Sequence, residues 1–298
     1  MIKRFLSVVA ALAVTSFVWI GPALADSHQV RSKLWQMWFQ PAASPTADRV
    51  FAFNAQLLVI ETIITLFVLG LMAYIVIRFN EKANPTPSKT THNTALEVIW
   101  TGLPILILIG IAVPSLKHLY FADSHPNADM TLKVIGNQWY WSYEYPDHDG
   151  IAFDSVLIPE EELKEGQPRL LSVDNEIVLP VETNIRLLLT SNDVIHNWAM
   201  PSLAVKLDNV PGRTNETWTR IKKEFAGKTL HGMCSELCGV NHGFMPIVIR
   251  AVSKEDFATW VKKAKKEFAS TDDKAVPTAP VAAAPESQNP IRVAEAAR

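Results

Sequence analysis

The chain is poor in cysteine and carries almost no net charge. Two cysteines occur among 298 residues, too few for a fold held together by a disulfide framework. The formal net charge of −2 provides no basic excess of the kind that nucleic-acid binding requires, so nucleic acid is not an expected partner. Apolar residues make up 48% of the chain and are concentrated in a few stretches, and the length allows one or two domains.

Residues 1–25 have the pattern of a secretory signal peptide. Lys3 and Arg4 precede an apolar run over residues 5–20, and an Ala-Leu-Ala cleavage motif ends at Ala25. A first transmembrane helix is the alternative, but the apolar run is shorter than the ~20 residues that usually span a bilayer. We therefore expect cleavage, with a mature chain that begins at Asp26 outside the cytoplasm.

Two later apolar stretches, residues 51–79 and 96–116, predict a transmembrane hairpin within residues 49–119. Both are apolar around the whole helix rather than along one stripe, which excludes a surface helix of a soluble domain. The short loop between them contains Lys82 and Lys89, and basic loops stay on the cytoplasmic side of a membrane. Both mature termini are therefore predicted to lie on the opposite side.

The segment before the hairpin, residues 26–48, is polar apart from an aromatic cluster around Trp35 and Trp38. Amphipathic aromatic side chains beside a membrane span usually lie at the level of the lipid headgroups. Within the first span, Glu61 is the one acidic residue, and a carboxylate at that depth is expected to face protein rather than lipid.

Residues 120–268 have the character of a soluble domain. Short runs rich in β-forming residues are separated by turn signals such as Pro-Asp-His-Asp-Gly. The predicted strands are 130–135, 170–173, 176–179, 184–190, 216–221 and 247–252. This pattern predicts a β-sandwich or barrel, and periodicity alone does not separate an immunoglobulin-like fold from other sandwiches. An amphipathic helix is predicted over 255–268, and the Ala- and Pro-rich tail, residues 269–298, has the composition of a disordered segment.

Both cysteines lie in one stretch, Cys-Ser-Glu-Leu-Cys-Gly-Val-Asn-His-Gly-Phe-Met. Cys234, Cys238, His242 and Met245 form a soft ligand set, and a thioether beside thiolates and imidazole favours copper. A mononuclear blue-copper site uses one cysteine and two histidines, so two cysteines suggest two copper ions and a second histidine, for which His196 is the best candidate. A disulfide, a zinc site, a copper chaperone and a redox relay are the alternatives.

The same stretch resembles the CuA loop of subunit II of bacterial haem–copper cytochrome c oxidases. The resemblance extends from about residue 97 to 260 and includes Gln-Trp-Tyr-Trp-Ser-Tyr-Glu-Tyr at 138–145, Val-Asp-Asn at 173–175 and Ala-Met-Pro-Ser-Leu at 199–203. It implies a membrane-anchored all-β protein, in which the two-helix transmembrane hairpin is followed by a cupredoxin-like Greek-key β-sandwich. It also implies the bacterial inner membrane, with the copper domain in the periplasm.

The resemblance assigns roles to individual residues. It implies a binuclear copper centre held by the side chains of His196, Cys234, Cys238, His242 and Met245, with Glu236 offering its backbone carbonyl. The Glu236 side chain would face a magnesium ion shared with the large subunit. Trp139 matches the residue where the electron enters, and alternation along a strand places Trp139, Trp141, Tyr143 and Tyr145 on one face.

Charge patterning adds an expectation about the electron donor. Between Glu144 and Asp193 there are twelve acidic and three basic residues, a distribution that would steer a basic partner, although such segments are often just solvated surface. The resemblance implies that this partner is cytochrome c and that Asp174 and Asp193 match docking carboxylates. Asn192 stands where some relatives carry another acid.

The resemblance finally implies the role of the whole chain. Glu97, in the first turn of the second span, matches a glutamate at the mouth of a proton path into the large subunit, whereas a simple helix-dipole role is the alternative. We therefore expect subunit II of a proton-pumping cytochrome c oxidase, partnered by subunit I and further subunits, which reduce oxygen to water. A membrane-anchored copper chaperone and the copper domain of a nitrous oxide reductase are the rival interpretations, and a ubiquinol-oxidase subunit would lack the cysteines.

Overall fold

Two long apolar helices precede a β-domain in this computed structural model, which describes residues 28–124 and 126–268. The predicted signal peptide and the predicted C-terminal tail lie outside the described residues. Helix α1 spans Pro45–Arg78 and helix α2 spans Thr94–Ala122. Both are long and apolar enough to cross a membrane, which confirms the predicted hairpin.

Each helix begins at a side-chain cap, and these caps explain why the helices differ from the predicted spans. Ser44 accepts a hydrogen bond from the Ala47 amide, and Pro45 occupies the first turn, where its missing N–H costs nothing. Helix α1 therefore begins before the apolar stretch. Asn93 accepts from the Leu96 amide at the start of α2, and α2 continues to Ala122. Glu61 lies exposed on α1.

The β-domain consists of two stacked sheets. The strands are β1 (Gln29–Val30), β2 (Met130–Asn137), β3 (Tyr140–Tyr145), β4 (Ile151–Ser155), β5 (Ile177–Pro180), β6 (Ile185–Ser191), β7 (His196–Met200), β8 (Val205–Asn209), β9 (Asn215–Thr219), β10 (Thr229–Cys234) and β11 (Pro246–Val252). One sheet has the order β5-β11-β10-β7-β8, with β1 also paired to β10, and the other has the order β4-β3-β2-β6-β9. This arrangement confirms the predicted sandwich.

The core lies between the two sheets. Alternation along β3 buries Trp141, Tyr143 and Tyr145 completely, as predicted, whereas Trp139 precedes the strand and is only half-buried. Helix α3 (Lys254–Phe268) closes one end of the sandwich with Phe257 and its neighbours. Because full burial of a large apolar side chain contributes about 1.5–3 kcal/mol, this aromatic strand is a major source of stability.

The prediction of a strand at 170–173 is wrong. Leu170 has a left-handed φ of 61°, and the Leu171 amide donates to the Pro168 carbonyl, so this segment turns instead of extending. Only an isolated bridge joins Val173 to Leu157. Strands β4, β7, β8 and β10 were not among the predicted strands, and the pattern of β10 is interrupted by Gly232. A Cβ at Gly232 would lie 2.1 Å from the Ala199 carbonyl oxygen, so only glycine allows β7 and β10 to pair this closely.

Residues 28–44, in the segment before the hairpin, are attached to the β-domain. Strand β1 pairs in parallel with the start of β10. The Ala43 amide donates to the Ser202 carbonyl, and the Ser44 hydroxyl donates to the Leu203 carbonyl. These contacts fix the start of α1 against the sheet that contains β10.

Candidate metal centre

The cysteine-containing loop connects two neighbouring strands. Cys234 is the last residue of β10, and Met245 directly precedes β11. The two strands pair antiparallel, with Met233 opposite Pro246, so the two ends of the loop lie side by side. The connection folds back through a short 3₁₀ turn that begins at His242.

This loop brings the predicted ligands together around the two sulfur atoms. The Cys234 and Cys238 Sγ atoms lie 3.9 Å apart, and both cysteines are free, which excludes a disulfide in this state because a bonded pair is about 2.05 Å apart. Cys238 Sγ lies 3.5 Å from His242 Nδ1 and 3.5 Å from Met245 Sδ. Cys234 Sγ lies 3.3 Å from the Glu236 carbonyl oxygen.

His196 reaches the same point from another strand. It is the first residue of β7, which pairs with β10 so that Trp198 lies opposite Cys234. The His196 side chain is fully buried, and its Nδ1 lies 3.9 Å from Cys234 Sγ. On its other side, a Cβ at Gly136 would lie 2.7 Å from the imidazole, so β2 leaves room for the ring only because this residue is glycine.

Asp193 fixes the orientation of His196. Its carboxylate oxygen lies 2.8 Å from His196 Nε2, which leaves Nδ1 directed at Cys234. Asp193 also accepts hydrogen bonds from the amides of Gln138 and Val194. Burial raises the pKa of Asp193, but the hydrogen bonds with His196, Val194 and Gln138 outweigh it and hold the pKa below its usual value. A carboxylate behind a histidine is typical of metal sites, and the sequence analysis missed this role.

The two thiols differ in acidity. Burial disfavours the Cys234 thiolate, but hydrogen bonds with His196 and with the backbone at Asn197 and Glu236 outweigh it and lower the pKa of Cys234 to about 7. Burial raises the pKa of Cys238, and the charge of Cys234 raises it further. Because the thiolate is the form that binds metal, Cys234 is the thiol prepared to ionise first, and a cation would be needed to ionise both.

Three side chains, two from the turn before β3 and one from β3 itself, hold the loop by its backbone. The Cys238 carbonyl accepts hydrogen bonds from Gln138 Nε2 at 2.7 Å and from Trp139 Nε1 at 3.1 Å. Trp141 Nε1 donates to the Met245 carbonyl at 3.1 Å. The sequence analysis named Trp139 but gave no role to Gln138 or Trp141, although indole N–H groups regularly find an acceptor when buried.

Trp139 lies between this loop and the surface. Its indole is half-buried, and a Cβ at Gly239 would lie 3.0 Å from Trp139 Cζ2. Gly239 has a φ of 120°, a conformation that only glycine adopts readily. The tight turn after Cys238 therefore lets the indole lie directly against the loop.

The remaining predicted site residues lie apart from the cluster. Asp174 is exposed and accepts hydrogen bonds from the Val156 and Asn175 amides, so its carboxylate also stabilises its own turn. Glu97 lies in the first turn of α2, at the end of the hairpin away from the β-domain.

Much of the acidic segment between Glu144 and Asp193 is paired within the chain. Ion pairs join Glu144 to Lys133, Glu160 to Arg169, Glu176 to Arg250 and Glu182 to Arg220. Asp149 pairs with Lys265. The negative field of this segment is therefore weaker than the bare count of charges predicts.

Comparison with known proteins matches both parts of the chain. The profile of the family described as "Cytochrome C oxidase subunit II, periplasmic domain" matches residues 130–252, and that of "Cytochrome C oxidase subunit II, transmembrane domain" matches residues 32–118. A probable cytochrome c oxidase subunit 2 of Rickettsia bellii is 54% identical over 239 residues, which cover 80% of this chain and 88% of that protein. The cytochrome c oxidase subunit 2 of Phytophthora megasperma is 46% identical over 233 residues, covering 76% and 86%.

A solved structure is also similar. It is the periplasmic domain of subunit II of cytochrome oxidase of Bradyrhizobium japonicum, 51% identical, and the match covers 48% of this chain and 98% of that one with a TM-score of 0.44.

Proposed function

The chain belongs to the cytochrome c oxidase subunit II family, and we propose that it holds a binuclear copper centre that receives electrons from cytochrome c. One observation carries the proposal. Two thiols, two imidazoles, a thioether and a backbone carbonyl converge at a single point between β7 and the loop after β10. Soft sulfur donors with imidazole favour copper over harder metals.

The donors divide into two matching halves. Cys234 has the His196 imidazole and the Glu236 carbonyl beside it. Cys238 has the His242 imidazole and the Met245 thioether beside it. Each thiol thus has one imidazole and one weak donor beside it, and both thiolates are available to bridge. Two copper ions bound there would accept and release one electron at a time, shared between them, for transfer to haem in the large subunit.

A single zinc ion is the second candidate. Two thiolates and two imidazoles make a common tetrahedral zinc set, and the four residues are all present here. Zinc would leave the Met245 thioether, 3.5 Å from Cys238 Sγ, without a role. The position of this thioether favours copper.

Copper titration of the full-length chain tests the proposal. We expect two copper ions per chain and, in the oxidised form, an electron paramagnetic resonance spectrum with hyperfine coupling to both nuclei. Competition with zinc during the titration provides the control for the second candidate. A single-copper spectrum at full loading would contradict the binuclear proposal. It would indicate a mononuclear copper site or a copper-delivery protein instead.

Glu236 is proposed to connect this chain to the large subunit through a shared metal ion. Its backbone carbonyl is directed at Cys234, whereas its side chain is exposed. Magnesium prefers carboxylates that complete a shell of oxygen ligands and water. We infer that the Glu236 carboxylate binds a magnesium ion held mainly by subunit I, so that loop and large subunit share one ion.

The orientation of the chain in the membrane is inferred from what lies at the two ends of the transmembrane hairpin. The hairpin loop contains Lys82 and Lys89, and such loops stay in the cytoplasm. The β-domain lies at the opposite end of both spans. We therefore propose a bacterial inner-membrane protein whose copper domain and mature termini are periplasmic.

Neutralising Asp174 tests docking of cytochrome c. Asp174→Asn keeps an oxygen that can accept from the Val156 and Asn175 amides, so the turn should persist. We expect the association rate with cytochrome c to fall about two- to threefold at low salt and the difference to vanish at high salt, because screening removes the attraction. Stopped-flow mixing across a salt series measures both.

One charge-matched variant calibrates that experiment. Glu81→Gln removes the same charge from the hairpin loop, away from the proposed docking face, and should leave the association rate unchanged. Asp193 is unsuitable, because its carboxylate hydrogen-bonds with His196 and its loss would alter the copper spectrum as well. An association rate of the wild-type protein that is insensitive to salt would end the steering hypothesis.

Glu97 is proposed to lie at the mouth of a proton path. The helix cap at this end is Asn93 rather than Glu97, so Glu97 contributes only the ~0.3–1 kcal/mol of a charge near a helix terminus. We expect Glu97→Ala to slow steady-state oxygen reduction several-fold while electron transfer from cytochrome c to copper stays unchanged. Oxygen consumption and flash-induced electron transfer in the assembled oxidase measure the two rates.

Asn93→Ala is the matched control for that variant. It removes the cap, which typically contributes ~1 kcal/mol, but keeps the carboxylate, so turnover should persist once assembly is verified. If the Glu97→Ala variant turns over at the wild-type rate from about pH 6 to about pH 9, the proton-path role is wrong. Glu97 then only complements the dipole of α2.

A further inference from the structure

A cavity of about 170 Å³ lies where both membrane helices meet the β-domain. Thr46 at the start of α1 and Asp123 at the end of α2 line it, together with residues of β8 and β9 that include Lys206 and Trp218. We propose that this cavity binds the zwitterionic headgroup of phosphatidylethanolamine. The proposal concerns the membrane surface and is independent of the copper centre.

The position of the cavity along the helices places it at headgroup depth. Helix α2 has 29 residues, which span about 44 Å at 1.5 Å per residue, whereas the hydrocarbon core of a bilayer is ~30 Å thick. The helix ends must therefore extend into the headgroup layers. Tyr120, two residues before the end of α2, is 71% exposed, as expected of an aromatic side chain at the interface between lipid and water.

The cavity contains one cation and one anion that are not paired with each other. Lys206 and Asp123 are both exposed at its lining, and no ion pair joins either of them to another residue within 28–124 or 126–268. Glu216, which also lines the cavity, is engaged by Arg186 through two hydrogen bonds of 2.7 Å. A ligand with a phosphate for Lys206 and an ammonium for Asp123 matches this pattern.

Trp218 adds an unsatisfied donor. Its indole Nε1 is buried without an acceptor among the described residues, and a buried donor without a partner is costly. The indole packs edge-on against Phe121 at 5.5 Å, and the Arg49 guanidinium lies 3.9 Å from the centre of the Phe121 ring. A ligand oxygen that reached the Trp218 N–H would therefore relieve the cost of burying it.

The headgroup chemistry separates the common phospholipids. A primary ammonium can donate hydrogen bonds to Asp123, whereas the quaternary ammonium of phosphatidylcholine has no N–H to donate. Phosphatidylglycerol offers the phosphate without the cation. The three lipids therefore share the contact with Lys206 and differ at Asp123.

Native mass spectrometry of the full-length chain in detergent tests the site, with each of the three lipids added in turn. We expect preferential retention of phosphatidylethanolamine. Lys206→Gln should weaken binding of all three about tenfold, because it removes one charge-assisted hydrogen bond. Asp123→Asn should remove the preference over phosphatidylcholine and leave the shared binding intact. Lys82→Gln, in the hairpin loop, is the charge-matched control and should change nothing.

Three results would overturn the proposal. These are equal retention of the three lipids, wild-type binding by Lys206→Gln with an unchanged unfolding temperature, and retention by the isolated chain but not by the assembled oxidase. In the last case a partner subunit covers the cavity instead of lipid.

Discussion

Cys238→Ser should reduce the copper content of the chain from two ions to at most one and abolish oxidase turnover. Cys238 Sγ lies within 3.9 Å of Cys234 Sγ and 3.5 Å of both His242 Nδ1 and Met245 Sδ, so it has three of the other donor atoms beside it, as Cys234 does. Serine replaces a soft, bridging sulfur with a hard oxygen that copper binds less well. The loss should exceed the roughly 10–100-fold that removal of an outer-shell partner costs.

Copper analysis and the paramagnetic spectrum measure that effect directly. Ser235→Ala is the control, because Ser235 is exposed in the same loop and its side chain is not one of the proposed ligands. Circular dichroism establishes that each variant is folded. Two copper ions with unchanged hyperfine coupling in Cys238→Ser would show that Cys238 does not bridge, and the binuclear proposal would fail.

Trp139→Phe should slow electron transfer from bound cytochrome c by about an order of magnitude, since small displacements of a reacting partner are costly. The Trp139 indole donates to the Cys238 carbonyl and lies against Gly239, so it connects the metal loop to the surface. Phenylalanine keeps an aromatic ring but lacks the N–H, and it ends short of the loop. Binding of cytochrome c should change little.

Single-turnover kinetics at saturating cytochrome c isolates the transfer step. Tyr140→Phe is the matched control, because Tyr140 is also half-buried and adjacent in sequence but starts β3 on the opposite face. Its rate should stay at the wild-type value. If Trp139→Phe weakens binding but transfers electrons normally once bound, Trp139 is a docking residue and not the point where the electron enters.

The convergence of the loop side chains could be predicted because they lie close together in the sequence. Cys234, Cys238, His242 and Met245 fall within twelve residues, and this spacing predicts a soft ligand set. His196 belongs to a different strand; the two cysteines called for a second histidine, and the resemblance to a family supported the choice of His196, which no spacing indicates. Its position depends on the pairing of β7 with β10, a contact between residues far apart in the chain that no local pattern encodes.

The supporting contacts were harder to predict. Asp193 was interpreted as a docking carboxylate, yet it hydrogen-bonds with His196, and nothing in a single sequence distinguishes these roles. Gln138 acts through the Cys238 carbonyl, and backbone acceptors leave no signature in the sequence. The wrong strand at 170–173 has a similar cause, because the left-handed φ of Leu170 opposes what its apolar neighbours suggest.

The pairing of β1 with β10 limits how the β-domain can be cut from the rest of the chain. Strands β1 and β7 occupy successive parts of the same edge of β10, with Val30 beside Leu230 and Trp198 beside Cys234. A fragment that begins after α2 lacks β1 and exposes the backbone groups of Thr229 and Leu230. Such an unpaired edge is a template for association with another chain, here at the strand that ends in Cys234. Joining residues 28–31 ahead of the β-domain by an artificial linker would keep this edge of β10 paired in a soluble version used for copper loading.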